Sequence, residues 1–240
     1  MDNIVLLVPP YLQKLGYLEN PSLIKLAKKC FREEDFHPYW VEWRAMLEYI
    51  CCLELAYSNV QNLPNGQLLM TEDYNTEGRY HTASIVFFSK AILDNLAMFL
   101  DDKYKMNIKN GGKALNKPIF KKKILEKNKG IHEVLLLNSL FLDELTEYRN
   151  NWIHRLVGGA VVGGSSKFRE NGTFEDAELL IPMDPTFNMS SFDNNKVIEK
   201  MKKKNEGKYL VTAKEFTNEI LDNTKKVFFE VMDNSLDLFD

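Results

Sequence analysis

From Arg79 to Tyr104 the chain contains neither glycine nor proline, and its centre, Ile85-Val86-Phe87-Phe88 followed by Ala91-Ile92-Leu93, is apolar on nearly every side. A helix without a polar face has no stable place at a surface, so this segment is expected to be the central helix of a bundle, with neighbours around it. The sequence supplies them. His37-Pro38 opens a run to about Asn62, in which Trp40, Val41, Trp43, Met46, Leu47, Ile50 and Leu53 give a wide apolar face. Ile131 to Leu156 carries Val134, Leu135, Leu137, Leu140, Phe141, Leu145, Trp152 and Ile153, and stops at Gly158-Gly159, where glycine takes a left-handed cap. Thr212-Ala213-Lys214-Glu215 is a capping box that opens a closing helix through Phe216, Ile220, Val227, Phe228, Val231 and Met232.

The expected fold class is therefore mainly α: one domain over 1–240, built as an up-and-down bundle of four helices at about 38–62, 79–104, 131–156 and 212–238. A short N-terminal helix starts at Asn20-Pro21-Ser22, with Asn20 as cap and Pro21 at the first helical position. Pro64-Asn65-Gly66 to Glu77-Gly78 reads as loop by its turn residues. The connection 103–129 holds ten lysines against one acid, Glu126. A small β insertion is expected over about 158–211, because Ala160 to Gly164 and Glu178 to Pro182 are short apolar runs bounded by Gly, Asn171-Gly172 and Pro. No internal repeat is visible, which excludes a solenoid.

Composition removes several functions. An apolar share of 45% supports a real core, and 31 basic against 34 acidic side chains leave a formal charge of -3, so any basic site must be local. Cys30, Cys51 and Cys52 make no spaced disulfide framework, which points to a reducing, cytoplasmic setting. Met1-Asp2-Asn3 lacks a positive leader region and Pro9-Pro10 ends the Ile4 to Val8 run, so neither a signal peptide nor a membrane partner is expected. His37, His81, His132 and His154 have no companions at zinc-ligand spacing, and no phosphate-cradling glycine loop precedes Lys-Ser/Thr, so no metal and no cofactor is expected. No cysteine neighbours a histidine, and buried apolar thiols are the ordinary reading.

What remains is Arg149-Asn150-Asn151-Trp152-Ile153-His154 near the end of an amphipathic helix. At about 100° per residue Asn150 and His154 stack on one face, and Arg149 lies about 140° from His154, within reach of the same pocket for a side chain of its length. A guanidinium, an amide and an imidazole suit cleavage of an RNA phosphodiester. The arginine neutralises charge developing on the phosphate oxygens and the imidazole carries a proton. A histidine in the last turn also faces the negative end of the helix dipole, which favours its protonated form. A second Arg-x4-His, Arg32 to His37, is excluded because Pro38 breaks the helix that would join the partners.

The hexapeptide resembles the Arg-polar-x-x-x-His signature of HEPN domains, four-helix-bundle ribonucleases of prokaryotic toxin and phage-defence systems. The likeness covers the helical body as well as the motif: members carry the signature on the third core helix and close with a later helix, some with a β-containing insert between. The wording Ile92-Leu93-Asp94-Asn95-Leu96-Ala97 is similar to that of one uncharacterised HEPN branch. The resemblance implies Arg149, Asn150 and His154 as catalytic residues, RNA as substrate, a homodimer with two motifs facing one cleft, and an antitoxin or defence-system partner. The chemistry supports the dimer, because proton removal from the 2′-hydroxyl and delivery to the leaving oxygen need two carriers. In some HEPN toxins a tyrosine two residues after the histidine is modified by the antitoxin; here Arg155-Leu156 follow and no tyrosine stands there.

Binding residues follow from charge. Lys121, Lys122 and Lys123, together with Arg155, are candidates for RNA phosphates, or else line a solvated helix face. Arg79 and His81 open the central helix and either approach His154 or cap. Two rival readings stay open: a HEPN-like module that binds RNA, nucleotide or protein without cutting, and an all-α structural dimer in which His154 caps or packs and Arg149 pairs with Glu147 or Asp143.

Overall fold

The computed structural model describes residues 2–32, 35–64, 72–109, 111–154, 161–163, 178–185, 198–199 and 210–239. The chain is mainly α-helical, and it divides into two compact units: Met1–Leu53 with Phe88–Asp143 and Asp222–Asp240, and Glu54–Phe87 with Glu144–Leu221.

In the first unit, α1 (Asp2–Leu7), α2 (Pro10–Lys14) and a 3-10 turn (Tyr17–Glu19) precede α3 (Pro21–Cys30). The opening apolar run ends before Pro9-Pro10, as expected: α1 stops at Leu7, and Pro10 starts a new helix. The proline takes the first position of α2, where its missing N–H costs nothing. Asn20 caps α3, its Oδ1 accepting from Ser22 N at 3.0 Å and Leu23 N at 3.1 Å. The hairpin of β1 (Phe31–Arg32) and β2 (Asp35–Phe36) leads to α4 (Trp40–Gln61). Arg32 lies on a strand and His37 beyond the next one, so the two share no helix. The centre of this unit is Trp43, wholly buried, whose ring lies 5.0 Å from Phe99 of α5 (Glu72–Lys103) and 5.6 Å from Phe228 of α9 (Ala213–Asn234). Each such aromatic pair contributes about 0.5–1.5 kcal/mol beyond the area it buries.

The third core helix, expected as one helix over 131–156, is broken. α6 (Pro118–Lys127) buries Phe120 and Ile124 one turn apart, Asn128 caps α7 (Lys129–Leu137), and α8 (Ser139–His154) follows. The break is at Asn138, a buried residue whose Nδ2 donates to the Val134 carbonyl at 2.8 Å. The Val134 carbonyl also accepts the Asn138 backbone N–H, at 3.1 Å, so the amide shares that carbonyl with the backbone.

In the second unit, α5 starts at Glu72, not at Arg79, and passes straight through Gly78. Gly78 is there for close packing: a Cβ on it would stand 2.9 Å from Leu63 Cδ1 and 3.0 Å from Leu179 Cδ2. The sheet has three antiparallel strands in the order β3 (Val161–Gly163), β4 (Glu178–Pro182), β5 (Leu210–Thr212), the last at the end of the expected insert, where no strand was read from the sequence. Thr212 ends β5 and caps α9: Glu215 N donates to Thr212 Oγ1 at 3.1 Å and Thr212 N to Glu215 Oε2 at 3.2 Å. The expected turns at Gly158-Gly159 and Asn171-Gly172 lie outside the described residues.

Among the described residues one helix, Thr76–Lys103, is by length and composition apolar enough to cross a membrane, yet 56% of its apolar window is buried inside the protein. The core helix of a bundle meets the same test.

Candidate functional site

The motif residues sit on the last turns of α8, in the second unit, and the residue before them fixes that helix. Tyr148 is buried, its hydroxyl donates to the Pro182 carbonyl of β4 at 2.9 Å, and its ring lies 5.0 Å from Phe216 of α9, edge to face. Burial first, then the nearby carboxylates Glu144, Asp184 and Glu219, raise its hydroxyl well above the ordinary tyrosine range. The proton therefore stays on and the bond stays made at any physiological pH.

From this anchor the helix turns Arg149 half outward and Asn150 fully outward. The guanidinium donates to the amide oxygen of its neighbour, Arg149 Nη1 to Asn150 Oδ1, at 3.0 Å. Among the described residues Arg149 makes no ion pair, so the acidic partners considered for it from the sequence, Glu147 and Asp143, do not hold it. His154 is the last residue of α8, one turn beyond Asn150; its side chain lies outside the described part of the structure, as does the whole of Arg155.

The auxiliary candidates distribute unevenly. Arg79 and His81 share the second unit with the motif but lie inside α5, so neither caps it. His81 Nε2 is 3.8 Å from Glu77 Oε1, one turn back on its own helix, and its ring packs edge-on against Tyr80. Arg79 Nε is buried and meets no hydrogen-bond partner among the described residues. Lys121, Lys122 and Lys123 lie on α6 in the first unit, with Lys122 exposed and the others half-buried. Among the described residues no three His, Cys, Asp or Glu side chains gather at metal-binding distance.

Sequence reasoning missed Tyr148, whose neighbours Pro182 and Phe216 are far away along the chain. It also missed a polar cleft in the first unit, lined among others by Tyr39, Asp101, Lys103, Lys105 and Lys113. No family model, curated protein or solved structure matches the chain.

Proposed function

We propose that this chain is a HEPN-type endoribonuclease that cleaves RNA through Arg149, Asn150 and His154 without a metal ion. The observation that carries the reading is the pairing of Arg149 with Asn150 at an outward-facing helix end, one turn before His154. The amide oxygen holds the guanidinium at the helix surface, and its remaining N–H groups stay available to phosphate oxygens. The imidazole takes the proton of the ribose 2′-hydroxyl as that oxygen attacks phosphorus; the bond to the 5′-oxygen breaks and a second imidazole protonates the leaving group. Arginine offsets the charge that builds on the phosphoryl oxygens.

One protomer offers one motif histidine, so the active form on this reading is a homodimer with both motifs at one cleft. The long helices are the HEPN bundle, Lys121, Lys122 and Lys123 hold RNA phosphates, and the setting is the cytoplasm of a prokaryote, with an antitoxin or defence-system partner. Incubating the protein with total RNA in excess chelator tests the activity, and light scattering tests the dimer. Intact RNA would leave the alternative of a bundle that binds without cutting; a monomer that still cuts would remove the composite site.

A further inference from the structure

The cleft in the first unit has a volume of about 590 Å³, which falls in the size range of small-molecule sites, roughly 300–1,000 Å³. Three lysines and two aspartates line it, and Glu42, which pairs with Lys103, balances the third lysine, so the positive group left without a carboxylate is Lys105. The aspartates are engaged. Asp101, 5% exposed, accepts from Ile108 N at 2.9 Å and holds Lys113 Nζ at 2.8 Å. Asp102 and Glu42 hold Lys103 Nζ at 3.0 Å and 2.8 Å, and that ammonium lies 4.3 Å from the centre of the Tyr39 ring. Burial opposes the charge on Lys103, and the two carboxylates outweigh it and keep the group protonated. Lys105 is exposed, and its ammonium meets no partner among the described residues. Each ammonium carries three donors, so Lys105 keeps all of its own and Lys113 those that Asp101 leaves.

The backbone that presents these groups is strained. Lys105 (φ 52°) and Asn107 (φ 54°) both hold left-handed conformations, the only non-glycine residues to do so among those described. Glycine takes that conformation freely and a side chain opposes it. Hydrogen bonds fix the loop regardless: Lys105 N to the Asp102 carbonyl at 3.1 Å, Met106 N to the Asp101 carbonyl at 2.9 Å, and Asn107 Nδ2 to the Lys105 carbonyl at 3.1 Å. The first two are the bonds that close the C-terminus of α5, Met106 N returning to the Asp101 carbonyl and Lys105 N to that of Asp102 with Lys105 as the left-handed cap, so the end of the helix itself fixes where Lys105 stands at the rim.

We propose that this cleft binds a phosphate monoester of a small hydroxylated molecule, a nucleotide or a sugar phosphate. Ammonium groups held as point charges suit the several oxygens of one phosphate. The volume far exceeds a bare phosphate, so the ligand carries a body, which the Tyr39 ring and Ile108 flank. Asp102, 74% exposed at the rim, can accept from a hydroxyl of that body. No lining residue belongs to the Arg149 motif, and binding is read without RNA, so this proposal and the ribonuclease reading fail independently.

Calorimetry of the full chain with adenosine 5′-monophosphate, glucose 6-phosphate and inorganic phosphate tests it. At least one organic monoester should bind more tightly than inorganic phosphate, with affinity falling as salt rises. Equal binding of both esters would make the phosphate and hydroxyls the determinant, and a preference for the nucleotide would add the base. Lys105→Gly keeps the left-handed turn without strain, so it should raise the melting temperature while weakening ester binding about tenfold or more. Lys127→Ala, on α6 and outside the cleft, should leave binding unchanged. The proposal is overturned if no probe binds at millimolar concentration, if inorganic phosphate binds as well as the esters, or if Lys105→Gly binds as the parent does.

Discussion

The Tyr148 hydroxyl donates to the Pro182 carbonyl at 2.9 Å, fastening the helix that carries Arg149 to the middle strand of the sheet one residue before the motif begins. The bond spans 34 positions of sequence, so it ties together segments that local propensity leaves independent. It also sets which way α8 is turned: with Tyr148 inward, the following residues are carried round toward solvent.

Tyr148→Phe keeps the ring against Phe216 and removes only the hydroxyl, so it should destabilise the protein by about 1–2 kcal/mol, the worth of a buried hydrogen bond whose acceptor is left without it. Urea unfolding monitored by circular dichroism measures this. A variant as stable as the parent would show that the bond contributes nothing net.

Alkaline pH should expose the same residue. The hydroxyls of Tyr148 and Tyr104 both lie above the ordinary tyrosine value of 10.0, each raised first by burial; Tyr104 is raised further by its hydrogen bond to Asp237 and lowered by one from Asn128. Above about pH 10 the unfolded chain loses these protons while the folded chain keeps them, so stability is full below that point and falls above it. The urea midpoint should hold up to about pH 9.5 and drop beyond, and Tyr148→Phe should lessen the drop. An identical slope in parent and variant would remove Tyr148 from this account.

The three thiols should react in a fixed order. Burial pushes Cys30 up to about 12, and burial followed by the Glu48 charge pushes Cys51 up to about 11, whereas Cys52 is exposed on α4. A thiolate is the reactive form, so at about pH 8 an alkylating agent should take Cys52 first, Cys51 slowly and Cys30 only after unfolding. Peptide mapping after timed labelling checks the order; rapid labelling of Cys30 in the native protein would contradict it.

Features written in a few adjacent residues were legible in the sequence. The Asn20 cap and the Thr212–Glu215 box each satisfy orphan backbone donors within one turn, and Pro38, next to His37, bars a helix shared with Arg32. What depends on distant partners was not. Gly78 reads as a loop residue until Leu63 and Leu179 are seen to need the space its missing Cβ leaves. β5 is only three residues long, and its pairing of Val211 with Ile181 joins segments that have no local reason to meet. The position of Arg149 and Asn150 near a helix end was readable from the sequence but the hydrogen bond between them was not, and the left-handed turns at Lys105 and Asn107 carry no glycine to announce them.

The ribonuclease reading stands or falls on its motif and its products. Arg149 and Asn150 face outward, so Arg149→Ala and His154→Ala should each lower cleavage about a hundredfold or more with little change in stability. Arg32→Ala and His37→Ala, which alter the other Arg-x4-His, should leave cleavage unchanged. If imidazole and guanidinium do the work, the 2′-hydroxyl is the nucleophile, and the bond it forms leaves a 2′,3′-cyclic phosphate on one fragment and a 5′-hydroxyl on the other. DNA lacks that hydroxyl and should survive. The rate should pass through a maximum with pH, since one histidine must accept a proton while its partner donates one, and EDTA should leave the rate unchanged. End-group analysis of a short defined RNA decides the chemistry: 5′-phosphate products, or activity lost to EDTA and restored by magnesium, would mean that a different mechanism operates even where Arg149 and His154 matter.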